Sequence, residues 1–212
     1  AHAFDVQDEG GSILRHGDVS ILSFHATKVF TTFEGGAVIS KDAAMKQRVD
    51  NFKNFGIADE VTVVASGINA KMSEFQAALG LLQLKYIDDA IKQREEVDKS
   101  YRERLSEIPG IGCLSPSSAV RDNYSYFPVL IEPNYSLTRD GLYQRLKEEN
   151  ILARRYFYPL ISDFPMYRTA SGADRSNLPH AGAVAERVLC LPIYPGLEAE
   201  RLEKVISIIE ST

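Results

Sequence analysis

Short apolar runs and longer stretches of helical spacing alternate along the chain. Apolar runs bounded by glycine or polar residues predict two β-strands, Val19–Phe24 and Gly36–Ser40. A helix is predicted over residues 43–54, because Asp42 is a suitable N-cap and Gly56 is suited to end a helix. The stretch that joins the two strands is therefore expected to lie between two buried elements.

The longest helical pattern lies between Lys71 and about Glu107. Its apolar positions alternate steps of three and four residues, which is typical of one face of an amphipathic helix: Met72, Phe75, Leu79, Leu82 and Tyr86. Pro109 and Gly110 would end such a helix. We therefore expect one helix of about 35 residues, with a kink near Asp88 as the alternative.

After Pro109 the pattern changes to shorter elements, so we predict a domain boundary between residues 107 and 108. Strand-like and helical segments alternate there, which is typical of an α/β domain. The predicted strands are Tyr124–Ile131, Ile151–Tyr156 and Val188–Pro192, and the predicted helices cover residues 138–149, 181–187 and 197–209.

Composition and charge narrow the class of protein. Charged residues make up 25% and apolar residues 44% of the 212 positions, as in an ordinary globular protein. A net charge of −5 without a basic cluster argues against nucleic acid as a partner, and no apolar run reaches the ~18 residues of a membrane span. Cys113 and Cys190 lie far apart and the four histidines lack metal-ligand spacing, so we expect a cytoplasmic location and no metal site.

The stretch with the richest chemistry runs from Ser23 to Ala37 and reads SFHATKVFTTFEGGA. Lys28 stands there among hydroxyl side chains. An amine held between buried strands can act as a nucleophile, hydroxyl groups can hold a phosphate, and Gly35 and Gly36 allow a ligand to approach the backbone closely. Taken alone, the alternative interpretation is a lysine in a solvent-exposed loop.

Two further stretches complete the set of candidate motifs. Residues 67–80 read GINAKMSEFQAALG, and the chain opens with AHA. Together with the lysine stretch, they resemble signatures of the DegT/DnrJ/EryC1/StrS family, the pyridoxal-phosphate-dependent nucleotide-sugar aminotransferases. The lysine stretch follows the family pattern throughout, whereas the second stretch has Ala70 where tyrosine is common.

The resemblance implies a fold and a domain arrangement. It covers essentially the whole chain and corresponds to the C-terminal half to two-thirds of the family, whose α/β fold is that of aspartate aminotransferase (fold type I). Residues 1–107 are then the C-terminal part of the large cofactor-binding domain, ending in a long helix, and residues 108–212 are a small C-terminal α/β domain. The family's aspartate that bonds to the pyridine nitrogen would precede residue 1, so we expect the chain to be incomplete at its N-terminus.

The resemblance also implies roles for individual residues. Lys28 would bind pyridoxal 5'-phosphate covalently and move a proton during catalysis, His2 would bond to the phenolic oxygen of the cofactor, and Ser23 would bond to its phosphate. Asn69 would reach the cofactor phosphate of the neighbouring subunit, which implies a homodimer with shared active sites. Without the resemblance, Ser23 would be interpreted as a turn cap and Asn69 as a residue that merely precedes a helix.

The implied reaction is transamination of a nucleotide-linked keto-sugar, with an amino acid such as glutamate as the donor. Tyr156 and Tyr158 lie in a stretch similar to the family's sugar site, although Ile161 replaces a histidine that is frequent there. Residues 153–167 look most similar to members that act on dTDP-linked 3-keto-6-deoxyhexoses. Two alternatives stay open: a dehydratase of the same family, although such members have histidine in place of Lys28, and a catalytically incomplete fragment or assembly module.

Overall fold

The computed structural model describes residues 1–115 and 118–212 and has two units, which we describe separately. The first unit comprises Ala1–Ile91 and Ser117–Ser125, and the second comprises Lys92–Pro116 and Tyr126–Thr212. The assignment of residues 1–107 and 108–212 to a large and a small enzyme domain stays a prediction.

The first unit contains two antiparallel strand pairs. Strand β1 (Gln7–Asp8) pairs with β2 (Gly11–Ser12), and β3 (Val19–Ser23) pairs with β4 (Gly36–Ser40). The register places Ser23 opposite Gly36. A Cβ atom at Gly36 would lie 2.6 Å from the carbonyl oxygen of Leu22, so the close approach of the two strands requires a glycine there. Both strands predicted from the apolar runs are confirmed.

The predicted helix after β4 is confirmed as α1 (Ala43–Lys53), and its start is determined locally. The Asp42 carboxylate accepts hydrogen bonds from the backbone N–H groups of Ala44 and Met45. Helix α2 (Glu74–Gln83) begins with a capping box, in which the Ser73 hydroxyl accepts from the Gln76 N–H and the Gln76 side chain accepts from the Ser73 N–H.

The prediction of one unbroken helix is wrong, because α2 ends at Gln83 and α3 (Ile87–Leu105) begins after a break of three residues. This break lies close to the alternative kink near Asp88. At the break, the N–H of Lys85 bonds to the carbonyl of Leu82, and the N–H of Tyr86 bonds to that of Gln83. These tighter turns shift the helix phase. The apolar spacing used for the prediction continues up to Tyr86 without interruption, so the spacing does not reveal the break. The predicted apolar face is also largely open in this structure, since Phe75 is 71%, Leu82 49% and Tyr86 60% exposed.

The second unit contains a three-stranded antiparallel sheet in the order β5 (Ile111–Cys113), β6 (Phe127–Ile131) and β7 (Val188–Leu191). The predicted strand at Ile151–Tyr156 is wrong. Only Arg154 exchanges backbone hydrogen bonds with Cys190 of β7, and the N–H of Tyr156 then turns back to the carbonyl of Arg154. The chain leaves the sheet after a single bridge.

Three helices cover this sheet: α4 (Arg139–Glu148), α5 (Pro179–Arg187) and α6 (Ala199–Glu210). The most completely buried side chains of this unit come from α3, the sheet and these helices: Tyr101, Leu105, Phe127, Val129, Leu142, Leu146, Leu189 and Ile209. Within residues 1–115 and 118–212, none of the helices combines the length and the apolar character of a membrane span, and no cluster of side chains is arranged to hold a metal ion.

The core of the second unit predicts a large effect of truncating Leu146, which is fully buried on α4. We expect Leu146→Ala to lower the free energy of unfolding by about 2–5 kcal/mol, because it removes buried methyl groups and leaves a cavity. Urea unfolding followed by circular dichroism measures this change. The control is Gln144→Ala on the exposed side of the same helix, and equal losses for both variants would contradict the packing described.

Candidate active site

The lysine turn, residues 24–35, is closed by backbone hydrogen bonds at its base. The N–H of Phe24 donates to the carbonyl of Gly35 at 2.9 Å, and the N–H of Thr32 donates to the carbonyl of Phe24 at 3.0 Å. Within the turn, the N–H of Lys28 donates to the carbonyl of His25 at 2.9 Å. The backbone at Lys28 is therefore held by short-range bonds, and its side chain is half-buried.

An apolar cluster lies beneath this turn and is centred on Phe30, which is 5% exposed. The ring of Phe30 stacks on Phe4 at 4.5 Å between centroids and meets the edge of Phe24 at 4.8 Å. Ile87 and Ile91 of α3 complete the buried cluster. The turn and the first residues of the chain therefore share one apolar support.

The amine of Lys28 contacts one of the predicted cofactor residues directly. Lys28 Nζ and His2 Nε2 lie 3.2 Å apart. An ammonium group has no acceptor, so a charged Lys28 must donate to an unprotonated Nε2, which places the ring proton of a neutral His2 on Nδ1. Within residues 1–115 and 118–212, no carboxylate forms an ion pair with Lys28, so the amine is not neutralised by a competing partner.

The surroundings of His2 favour its neutral form. Partial burial and the nearby positive charge of Lys28 both lower the pKa of the imidazole below its usual value of 6.5. Burial is the larger cause, because it removes water from the charged form. A neutral imidazole offers one donor and one acceptor nitrogen, which suits contact with both an amine and a ligand oxygen.

Ser23 ends β3, and its hydroxyl accepts a hydrogen bond from the His25 N–H at 3.3 Å. This is the turn-capping arrangement that the residue type alone suggests. His25 extends the network, since its Nδ1 lies 3.0 Å from Thr27 Oγ1 and its Nε2 lies 3.6 Å from a carboxylate oxygen of Glu34. These contacts shape the turn around Lys28, and the phosphate role of Ser23 stays a prediction.

The second motif is docked onto the lysine turn. The carbonyl of Glu34 accepts hydrogen bonds from the Gln76 amide and from the Thr32 hydroxyl, each at 2.8 Å. Thr32 is 1% exposed, and a Cβ atom at Gly80 would lie 3.1 Å from its methyl carbon. Gln76 and Gly80 therefore pack α2 against the lysine turn.

Asn69 lies on an exposed stretch next to the end of α1. Its backbone forms an isolated bridge with Asn54, and Lys71 donates to the Asn54 side chain at 2.8 Å. In the part of the chain that the structure describes, the Asn69 amide makes no hydrogen bond and is exposed. The structure brings His2 and Lys28 together but does not join Asn69 to them.

Tyr156 and Tyr158 belong to the second unit and lie among arginine side chains. The Tyr156 hydroxyl accepts from Arg154 at 2.6 Å, and its ring meets the edge of Tyr126 at 5.3 Å. The guanidinium of Arg139 lies 4.6 Å from the ring centroid of Tyr158. Both tyrosines therefore have structural contacts of their own, and their role towards a sugar stays a prediction.

Comparison with known proteins identifies the group to which this arrangement belongs. The model of the DegT/DnrJ/EryC1/StrS aminotransferase family matches residues 1–210. The chain belongs to this family. The predicted family and its mixed α/β fold are therefore confirmed.

Individual relatives of the family give the extent of the match. The chain is 48% identical over 209 residues to the dTDP-4-amino-4,6-dideoxy-D-glucose transaminase of Shigella dysenteriae, which covers 99% of this chain and 56% of the relative. The Escherichia coli protein of the same name is 49% identical over 210 residues, with 99% and 57% covered. The structure of DesI in the presence of its TDP-sugar product aligns with a TM-score of 0.91 at 33% identity, covering 100% of this chain and 53% of that chain. The chain thus spans about half the length of the curated relatives it matches.

One buried residue that bonds to the backbone of His2 has no signal in the sequence. Asn123 is 2% exposed, and its amide donates to the carbonyls of His2 and Phe4. The local sequence around it contains only an Asp-Asn pair, which is typical of a turn. The partner lies 121 residues away, so no spacing rule could reveal the contact.

The contact between His2 and Lys28 predicts a measurable titration. We expect the His2 ring to titrate below its usual value of 6.5 in an NMR pH titration, and Lys28→Met to raise that pKa part of the way back by removing the positive charge. Lys41→Met is the control, since it removes a lysine elsewhere in the same unit. An unchanged His2 pKa in Lys28→Met would contradict the contact.

The same lowered pKa sets the sign of the effect of pH on stability. Below pH 6.5, the His2 ring binds a proton more readily in the unfolded chain than in the folded chain. The contribution of His2 to the free energy of unfolding is therefore fully present above pH 6.5. This contribution is lost as the pH falls from 6.5 through the lowered pKa of the folded chain.

Proposed function

We propose that the protein of which this chain is part is a pyridoxal-phosphate-dependent aminotransferase that acts on a dTDP-linked 6-deoxyhexose. The observation that carries the proposal is the half-buried Lys28 amine, 3.2 Å from His2 Nε2, in a chain of the sugar aminotransferase family. Lysine at this position also argues against the dehydratase alternative, whose members have histidine there.

The donor set around Lys28 fits pyridoxal phosphate. The cofactor needs an amine for its aldehyde carbon, a hydrogen-bonding group for its phenolic oxygen, and hydroxyl or backbone N–H donors for its phosphate. Lys28 supplies the amine, neutral His2 supplies a ring nitrogen, and Ser23 supplies a hydroxyl at the strand end. No carboxylate in the described part of the chain pairs with the lysine amine, so nothing there opposes its use as a nucleophile.

When bound, the cofactor supplies an electron sink for the charge that develops when a proton leaves carbon. The side chains of this chain perform the remaining tasks. Lys28 Nζ would hold the cofactor and, when free, would accept and return a proton. His2 keeps an oxygen or an amine in place through Nε2, and the docked turn keeps Lys28 in register with it.

The exposed amide of Asn69 supports the proposal of a homodimer with shared sites. A side chain without an intrachain hydrogen bond can serve a second subunit at little cost. We propose that it bonds to the cofactor phosphate held by the other copy.

The relatives' names favour carbon 4 of the sugar as the reacting position. The two relatives at 48% and 49% identity are dTDP-4-amino-4,6-dideoxy-D-glucose transaminases. We therefore propose a 4-keto sugar, rather than the 3-keto sugar that the sequence stretch 153–167 favoured. Glutamate is the proposed donor, and Tyr156 and Tyr158 are the proposed sugar contacts.

The first test addresses Lys28 in the full-length protein. Incubation with pyridoxal phosphate should give the visible absorbance of a lysine-bound pyridoxal, and borohydride reduction followed by peptide mass spectrometry should place the label on Lys28. Lys28→Ala should lose the label and lower turnover at least about a thousandfold, whereas Lys41→Ala should retain both. Normal turnover by Lys28→Ala would refute the mechanism. The fragment alternative predicts no labelling of residues 1–212 alone.

The second test addresses the substrate. The full-length protein should be incubated with glutamate and with dTDP-linked 4-keto-6-deoxyhexose or its 3-keto isomer, and the amino sugar measured by mass spectrometry. We expect kcat/KM for the 4-keto sugar to be at least about a hundredfold higher, because the wrong isomer holds its carbonyl away from the amine. Preference for the 3-keto sugar would restore the expectation from the sequence stretch 153–167.

A further inference from the structure

Residues 118–125 run alongside the first residues of the chain. We call this stretch the return segment. Gln7 exchanges backbone hydrogen bonds with Arg121, donating at 2.9 Å and accepting at 3.2 Å, and its carbonyl also accepts from Val120. Arg121 forms ion pairs with Asp5 and with Asp88 at the start of α3. The return segment therefore holds the start of the chain from one side.

Asn123 is the buried polar centre of the return segment, with 2% of its surface exposed. Its amide nitrogen donates to the carbonyl of His2 at 2.8 Å and to the carbonyl of Phe4 at 2.7 Å. Its amide oxygen accepts from the N–H of Ser125 at 3.1 Å and from the Ser125 hydroxyl at 2.5 Å. The donors and the acceptor of one side chain are thus committed to fixed partners.

These bonds reach the first and the last residue of the short stretch 2–4, which carries the His2 ring. His2 is the residue whose Nε2 lies 3.2 Å from Lys28 Nζ, and Phe4 is the residue whose ring stacks on Phe30. Because a buried donor without a partner is costly, the two carbonyls and the amide hold one another in a single arrangement. The ring of His2 therefore depends on Asn123 for the position of its own backbone.

We propose that Asn123 is a positioning residue for the cofactor site, which sets the His2 ring against Lys28 by holding the backbone of residues 2–4. The inference rests on the proposed function, since it assigns the purpose of the contact to cofactor binding. In the described part of the chain, Asn123 makes no hydrogen bond to Lys28 or to the His2 ring, so it acts through the backbone that carries His2.

The test is a double-mutant cycle in the full-length protein with the dissociation constant of pyridoxal phosphate as the readout. Asn123→Ala and His2→Ala are made singly and together, and cofactor binding is followed by fluorescence titration. We expect Asn123→Ala to weaken binding about tenfold when His2 is present, and by less than about twofold in the His2→Ala background. The effect disappears in that background because the ring that Asn123 positions is no longer there.

Two further variants separate positioning from general stability. Arg121→Gln removes the ion pairs of the same return segment but leaves the Asn123 bonds intact, so it should change the dissociation constant by less than about twofold. Asn123→Ser keeps a hydroxyl donor for one of the two carbonyls and should weaken binding less than alanine does. Thermal unfolding of each variant reports whether it is folded, and the serine variant carries the cycle if the alanine variant does not fold.

The outcomes separate the two proposals. Equal weakening by Asn123→Ala with and without the His2 ring, or equal weakening by Arg121→Gln, overturns the positioning role while the proposed function stands. Failure of the wild-type protein to bind pyridoxal phosphate at Lys28 overturns the proposed function, and the positioning role falls with it. Coupling confined to the pair Asn123 and His2 supports the positioning role.

Discussion

The burial of Phe30 is the interaction on which the lysine turn depends. Its ring contacts Phe4 from the start of the chain and Phe24 at the base of the lysine turn, so one apolar cluster joins the two segments that carry His2 and Lys28. Burying a phenylalanine stabilises a fold by about 1.5–3 kcal/mol, whereas a hydrogen bond contributes a net of about 0.5–1.5 kcal/mol. The burial of Phe30 therefore contributes more to holding these two segments together than the single polar contact between His2 and Lys28 does.

The two long sequence signatures of the chain are parts of one physical unit. Gln76 both caps α2 and donates to the Glu34 carbonyl, and Gly80 leaves room for the buried Thr32. The residue types at these two positions follow from geometry. A larger side chain at position 80 would press on Thr32. A side chain without an amide at position 76 would leave the Glu34 carbonyl with one donor fewer. The second signature thus supports the lysine turn through contacts within the same unit, independently of any role of Asn69.

Elements that are determined locally could be predicted from the sequence, and those determined by distant contacts could not. Strands β3 and β4 follow from apolar runs and α1 from its Asp42 cap, because each signal lies within a few residues. The break before Ile87 and the single bridge at Arg154 lie within stretches whose apolar pattern continues, so the local pattern does not reveal either feature. For the candidate site, motifs indicate His2 and Lys28, whereas Asn123 lies 121 residues from its partner and has no motif.

The electrostatics of the site explain which side chains suit position 2. A neutral histidine offers one donor and one acceptor nitrogen. Burial and the charge of Lys28 keep His2 neutral, so Nε2 accepts from the ammonium, and a shift of the ring proton to Nε2 would let it donate to an oxygen instead. A lysine or arginine at position 2 would have no acceptor and would repel Lys28. An aspartate or glutamate would form an ion pair with Lys28, stabilise its charged form and reduce its reactivity as a nucleophile. A neutral side chain that can either donate or accept is therefore what the geometry beside Lys28 requires.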